Sequence, residues 1–123
     1  MSSHIQIKGK QFNLPTFFPD ATRGVIRSLD SQDLQALEIE GLIVNTYHLM
    51  SKPGTTVVKD LGGIKKLMNW PGWIISDSGG FQLLSMIYKD PTFGKINRDG
   101  VIFYKFLKGG KQKYNFTPEK SIQ

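Results

Sequence analysis

The chain has 123 residues, enough for one small domain, and 39% of them are hydrophobic. Cysteine is absent, which excludes a disulfide framework or a thiolate metal site within these residues. No apolar run approaches a membrane span and MSSHIQIKGK lacks a signal peptide's apolar core, so a cytoplasmic protein is the default expectation.

The net charge of +6 is unevenly placed. Residues 1–88 hold eight Lys/Arg against seven Asp/Glu, whereas residues 89–123 hold eight against three. The basic tract includes Lys89, Lys95, Arg98, Lys105, Lys108, Lys111 and Lys113. Such a tract suits a polyanion-binding surface, because each neutralised phosphate releases counterions; a solvated basic hairpin is the plainer reading.

In chain order, Ile5 and Ile7 alternate with polar residues, Gly9-Lys10 offers a turn, and Phe12 and Leu14 resume the alternation. The pattern predicts a hairpin. PTFFPDAT suggests a strand ending at Phe18. Ser28, Asp30 or Ser31 can cap a helix whose Leu34, Leu37 and Ile39 face a core, with Gly41 as its stop. LIVN then reads as a buried strand ending at Asn45, and TYHLMSKPG as a loop. A second helical tract runs through Val57, Val58 and Leu61, breaks at Gly62-Gly63, and resumes through Ile64, Leu67 and Met68. Pro71-Gly72 turns the chain into WIIS, the next buried strand. Continuous apolar strands alternating with helices are the pattern of a parallel sheet covered by helices. A short helical turn at Phe81, Leu84 and Ser85 follows, then a hairpin over 100–116 turning at Gly109-Gly110. Thr117 reads as an N-cap with Pro118 at the first helical position. The cut-off helix and the open sheet edge suggest the front part of a longer protein.

In parallel α/β architectures, polar residues at the carboxyl ends of strands are the usual place for chemistry. Two strands end that way, one in Asn45-Thr46 and one in Asp77-Ser78. If they are neighbours, an amide and a hydroxyl face a carboxylate and can orient it. Asp77 could equally cap the helix that follows. Gly79 and Gly80 allow close backbone approach, and Phe81 offers a flat wall, so residues 77–81 suit a pocket for a polar ring. A serine hydrolase is a poor alternative. Ser76 stands where the G-x-S-x-G elbow needs glycine, and a protease using His48 as base for Ser78 needs a double β-barrel and an acid partner, for which the chain is too short and of α/β pattern. His4 and His48 lack ligand spacing.

NTYHLM followed by KPG, then LGGIKKLMNW, SDSGGFQLLS and FTPEKSIQ closely resemble the N-terminal third of tRNA-guanine transglycosylases, also called queuine tRNA-ribosyltransferases. The likeness runs from about LPTFFPDATRG to the end, with the motifs in the family's order. Gly80 resembles the bacterial and eukaryotic queuine-type enzymes, where archaeosine enzymes typically carry Ser.

The resemblance implies an α/β fold: the N-terminal part of a (β/α)8 TIM barrel, with a leading hairpin and another inserted after the third strand. Residues 1–123 would be an incomplete portion of one barrel domain: hairpin 1–15, β/α units 16–88, hairpin 100–116 and a helix start at 117–123. The implied reaction replaces the wobble guanine of certain tRNAs by a 7-deazaguanine precursor of queuosine through a covalent ribosyl-enzyme intermediate. Asp77 would be the general acid/base and would contact the base. Ser78, Gly79 and Gly80 would bind substrate, Phe81 would stack on the base, and Asn45 and Thr46 would support Asp77. The implied partners are tRNA, a guanine or 7-deazaguanine base and a second copy in a homodimer, with no membrane. The family's nucleophilic Asp and its zinc ligands lie beyond the matched region, so the 123 residues alone are not expected to complete catalysis. The alternative is a non-catalytic chain or partner subunit that binds tRNA or a catalytic homologue.

Overall fold

A computed structural model describes residues 3–107 and 109–122, so Lys108 of the basic tract lies outside the described residues. It is a mixed α/β structure that divides into two compact units, Met1–Asp77 and Ser78–Gln123. Each is described by itself.

The first unit opens with the expected hairpin, β1 (Ser3–Ile7) and β2 (Lys10–Leu14), paired antiparallel with Ile5 opposite Phe12. The turn is one residue earlier than predicted, at Lys8-Gly9. Both residues have positive φ, as two-residue hairpin turns that match strand twist require. Phe12 reaches the rings of Phe18 at 6.2 Å and Trp73 at 5.5 Å.

No strand forms over residues 16–18, and Phe17 is exposed. The pairing comes just after the prolines instead. The Ile43 amide donates to the Pro19 carbonyl at 3.0 Å, and the Ala21 amide to the Ile43 carbonyl at 2.7 Å. Pro19 has no amide to donate but keeps its carbonyl, so one short bridge at Asp20 replaces a strand.

Helix α1 (Ser31–Ala36) is capped by Asp30, whose Oδ1 accepts from the Gln32 and Asp33 amides. Asp33 answers by accepting from the Asp30 amide at 2.9 Å, completing a capping box. Leu34 is buried, but Leu37 is exposed, against expectation. The helix also stops short of Gly41. Glu38 enters the left-handed region at φ 54°, and the Ile39 amide returns to the Leu34 carbonyl, closing the helix there. Gly41 serves a different need: a Cβ would collide with the Phe18 ring.

Strand β3 (Gly41–Asn45) pairs in parallel with β4 (Trp73–Asp77), Asn45 standing opposite Asp77. With the 19–21 segment on its other side, β3 is central, and four of its five residues are buried. TYHLMS is a helix, not the predicted loop: α2 (Thr46–Ser51), with Tyr47 and Leu49 buried. The Gly62-Gly63 break separates α3 (Thr55–Asp60) from α4 (Ile64–Leu67), as expected. Leu42, Val44, Ala21, Leu34, Leu49 and Trp70 form this unit's core.

The second unit passes from Ser78 through a left-handed Gly79 into α5 (Gly80–Lys89), ten residues where a short turn was expected. Strong helix formers carry it on, and Leu83 is fully buried. Asp90 ends it with a turn in which its Oδ1 accepts from both the Thr92 amide and hydroxyl. The predicted hairpin is present as β6 (Gly100–Leu107) and β7 (Gly110–Phe116). Missing from the prediction was β5 (Gly94–Asn97), which pairs antiparallel with β6 and makes a three-stranded sheet. Phe93, Phe103 and Tyr114 stack in series at 5.8 and 5.1 Å. Thr117 caps the last helix, α6 (Pro118–Ile122), accepting from the Lys120 amide at 3.3 Å.

Candidate active site

Parallel register sets the site. Because β3 and β4 run together with Asn45 opposite Asp77, both strands deliver their last side chains to the same carboxyl edge. The Asn45 amide donates to Asp77 Oδ2 at 2.7 Å. That length is short for a neutral amide donor and suits a carboxylate acceptor. Asn45 is only 8% exposed, whereas Asp77 is exposed, so a buried group holds a carboxylate that a ligand can reach.

Asn45 also uses its other end. Its Oδ1 accepts from the His48 amide at 3.2 Å and so caps α2. The same bonds fix the amide's orientation, because the oxygen must face the helix and the nitrogen the carboxylate. Sequence reading placed Asn45 beside Asp77 but missed this capping role. The available signal was an Asn immediately before a Thr-Tyr-His-Leu run with apolar residues two and four positions on.

Thr46 touches a different atom from the one expected. Its hydroxyl donates to the Asp77 main-chain carbonyl at 3.0 Å, not to the carboxylate. It therefore anchors the strand end and leaves the carboxylate's alignment to Asn45. His48 lies with its ring tilted against Tyr47, centroids 4.9 Å apart. Burial pushes the Tyr47 phenol above its ordinary value.

Ser78, Gly79, Gly80 and Phe81 follow Asp77 directly in the chain and belong to the second unit. Gly79 is the N-cap of α5 at φ 71°, with no side-chain capping bond to that helix. Asp77 is thus engaged by Asn45 and is not the cap of α5. Ser78 Oγ accepts from the Gly80 amide at 3.3 Å, tightening the turn. Phe81, one residue into the helix, is 84% exposed, an unusual cost for a phenyl ring.

A cavity of about 800 Å³ lies elsewhere in the first unit, lined by Asn13, Phe17, Gln35, Glu38 and Glu40 among others. It sits by the amino end of β3, at the opposite end of the strand from Asn45, so it is separate from the carboxylate. Among the described residues, no three His, Cys, Asp or Glu side chains group as a metal site, and no helix is long and apolar enough to cross a membrane.

Comparison with known proteins identifies a family. The family described as Queuine tRNA-ribosyltransferase matches residues 2–123. A protein named queuine tRNA-ribosyltransferase from Oceanobacillus iheyensis is 37% identical over 111 residues, covering 90% of this chain and 28% of that protein. One of the same name from Staphylococcus aureus is 38% identical over 112 residues, covering 91% and 28%. The chain therefore spans 28% of the length of these relatives. The family match spans residues 2–123, and the chain belongs to the queuine tRNA-ribosyltransferase family.

Proposed function

We propose that this chain is the front portion of a tRNA-guanine transglycosylase, and that Asp77 takes part in exchanging a guanine of tRNA for a 7-deazaguanine base. The observation that carries this reading is the exposed Asp77 carboxylate held at a parallel strand's carboxyl end by the buried Asn45 amide. A carboxylate aligned in this way can accept from ring N–H groups of a purine-like base and pass a proton as one base leaves and another enters. In this reading Ser78, Gly79 and Gly80 bring the main chain close to the base, and Phe81 stacks on its face, which accounts for leaving that ring exposed.

The parallel β3–β4 pair and its covering helices are then the first units of a (β/α)8 barrel forming one domain. A carboxylate from residues outside this sequence attacks the ribose carbon as guanine leaves, and the incoming base then displaces that carboxylate, a double displacement like that of retaining glycosidases. The target nucleotide has to leave its stack to reach the pocket. Zinc and its ligands also belong to residues outside this sequence. A homodimer completes the proposed assembly.

The test is Asp77→Asn in the full-length protein, assayed by incorporation of labelled guanine into tRNA. The substitution keeps the shape and removes proton transfer, so exchange should fall by about 10²–10⁴-fold. Unchanged exchange would refute the assigned role.

A further inference from the structure

We propose that one face of the β5–β6–β7 sheet is an RNA-backbone surface, formed by Lys95, Lys111 and Lys113 around Tyr104. The inference rests on the tRNA reading above and adds where part of the polyanion lies.

Side chains alternate across a strand, so the register sorts them into two faces. Tyr104 pairs with Lys113, Phe106 with Lys111, and Ile102 with both Asn115 and Lys95. These positions share one face. Phe103, paired with Tyr114 and Gly94, and Val101, paired with Phe116 and Ile96, share the other. That second face holds the unit's aromatic packing, with Phe103 and Phe116 buried. The basic face is left to solvent, and Lys95, Lys111 and Lys113 are all exposed.

The strands β5, β6 and β7 contain Lys95, Lys105, Lys111 and Lys113 and no Asp or Glu. The strands' own side chains thus contribute positive charge only, which suits an anionic partner. Their spacing selects an extended one. Lys111 and Lys113 are about 7 Å apart along the strand, and Lys95, level with Asn115 two strands across, lies roughly 12 Å from Lys113. Flexible lysine stems at those separations reach successive phosphates, not one isolated phosphate. Tyr104 adds an aromatic surface among the cations, with Lys111 Nζ 4.0 Å from its ring centroid. Lysines interleaved with an aromatic are the make-up of single-strand RNA platforms, where phosphates pair with charge and a base or ribose rests on the ring.

The test measures tRNA affinity of the full-length protein by anisotropy over a range of KCl concentrations. Lys95, Lys111 and Lys113 changed together to Gln should make the slope of log K against log salt shallower by about two, since each single-strand phosphate contact contributes about 0.7. The corresponding triple change to Arg keeps charge and should keep the slope. Lys105→Gln is the control. Lys105 sits on the aromatic face by register, so it should leave the slope unchanged. An unchanged slope in the Gln triple variant, or a Lys105→Gln effect equal to that of Lys113→Gln, overturns the surface while leaving the tRNA reading intact. Absence of tRNA binding by the unaltered protein overturns the tRNA reading itself.

Discussion

Asn45 performs two tasks with one side chain, and its replacement separates them. Asn45→Ala removes the cap of α2, worth about 0.5–2 kcal/mol. It also removes the donor to Asp77, and hydrogen bonds to charged groups contribute about 1.5–3 kcal/mol. The two losses together predict a destabilisation of about 2–4 kcal/mol, discounted at the upper end because exposed Asp77 regains water. Asn45→Asp keeps an oxygen for the His48 amide but sets a second carboxylate where an amide lay 2.7 Å from Asp77. Two carboxylates that close favour sharing one proton, which raises the proton affinity of the folded pair above that of the unfolded chain. The sign follows. Stability is greatest below the unfolded carboxylate value of about 4 and is lost as pH rises through the raised folded value. Asn45→Asp should therefore approach the parent protein's stability near pH 4 and fall away toward pH 7, while Asn45→Ala stays low throughout. Urea unfolding followed by Trp fluorescence is the assay, with buried Trp70 bonded through its indole to the Trp73 carbonyl at 3.1 Å. Asn45→Ala within 0.5 kcal/mol of the parent, or Asn45→Asp with the parent's pH profile, would refute the coupling (0.5 being about the ordinary scatter of a surface change).

Gly41→Ala should destabilise by about 1–3 kcal/mol in urea unfolding, because the added Cβ meets the Phe18 ring and the crowded strand start cannot shift freely. Adding Phe18→Leu should recover part of the loss; equal stability of Gly41→Ala and the parent would show that the ring yields without cost. Burial raises the Tyr47 phenol above its ordinary 10.0, so its contribution to stability is whole below that value and is lost as pH climbs through the folded value. Tyr47→Phe should flatten the alkaline decline of the urea midpoint, and identical curves for the two proteins would contradict the assigned cause.

Local chemistry was legible where one residue type decides the outcome. The Asp30 cap, the Gly62-Gly63 break and the Thr117-Pro118 helix start all follow from side-chain acceptors or backbone freedom within three residues. The parallel pairing of β3 and β4 was also legible, because LIVN and WIIS are continuous apolar runs joined through helices. The failures share a cause in distant partners. The α2 helix looked like a loop because its stability depends on the cap from Asn45 and on burying Tyr47 and Leu49 in the fold. Strand β5 went unseen because GKIN has only one apolar residue, and its order comes from pairing with β6. Phe18, expected to end a strand, is used as a ring against Gly41 and Phe12.

The site was legible in position but not in wiring, and the difference bears on how Asp77 is held. From the sequence, Asn45 and Thr46 were equivalent supports. In the fold, the Thr46 hydroxyl binds the main-chain carbonyl and fixes where β4 ends, while the Asn45 amide orients the carboxylate. Asn45 in turn is oriented by α2, since its oxygen is committed to the His48 amide. Any change that loosens the first turn of α2 therefore frees the amide to rotate, and the effect reaches Asp77 through a single bond of 2.7 Å. A strand-end carboxylate can thus be pre-aligned without burying it: the desolvation falls on a neutral amide, which tolerates burial once both its ends are bonded, while the charge itself stays in water.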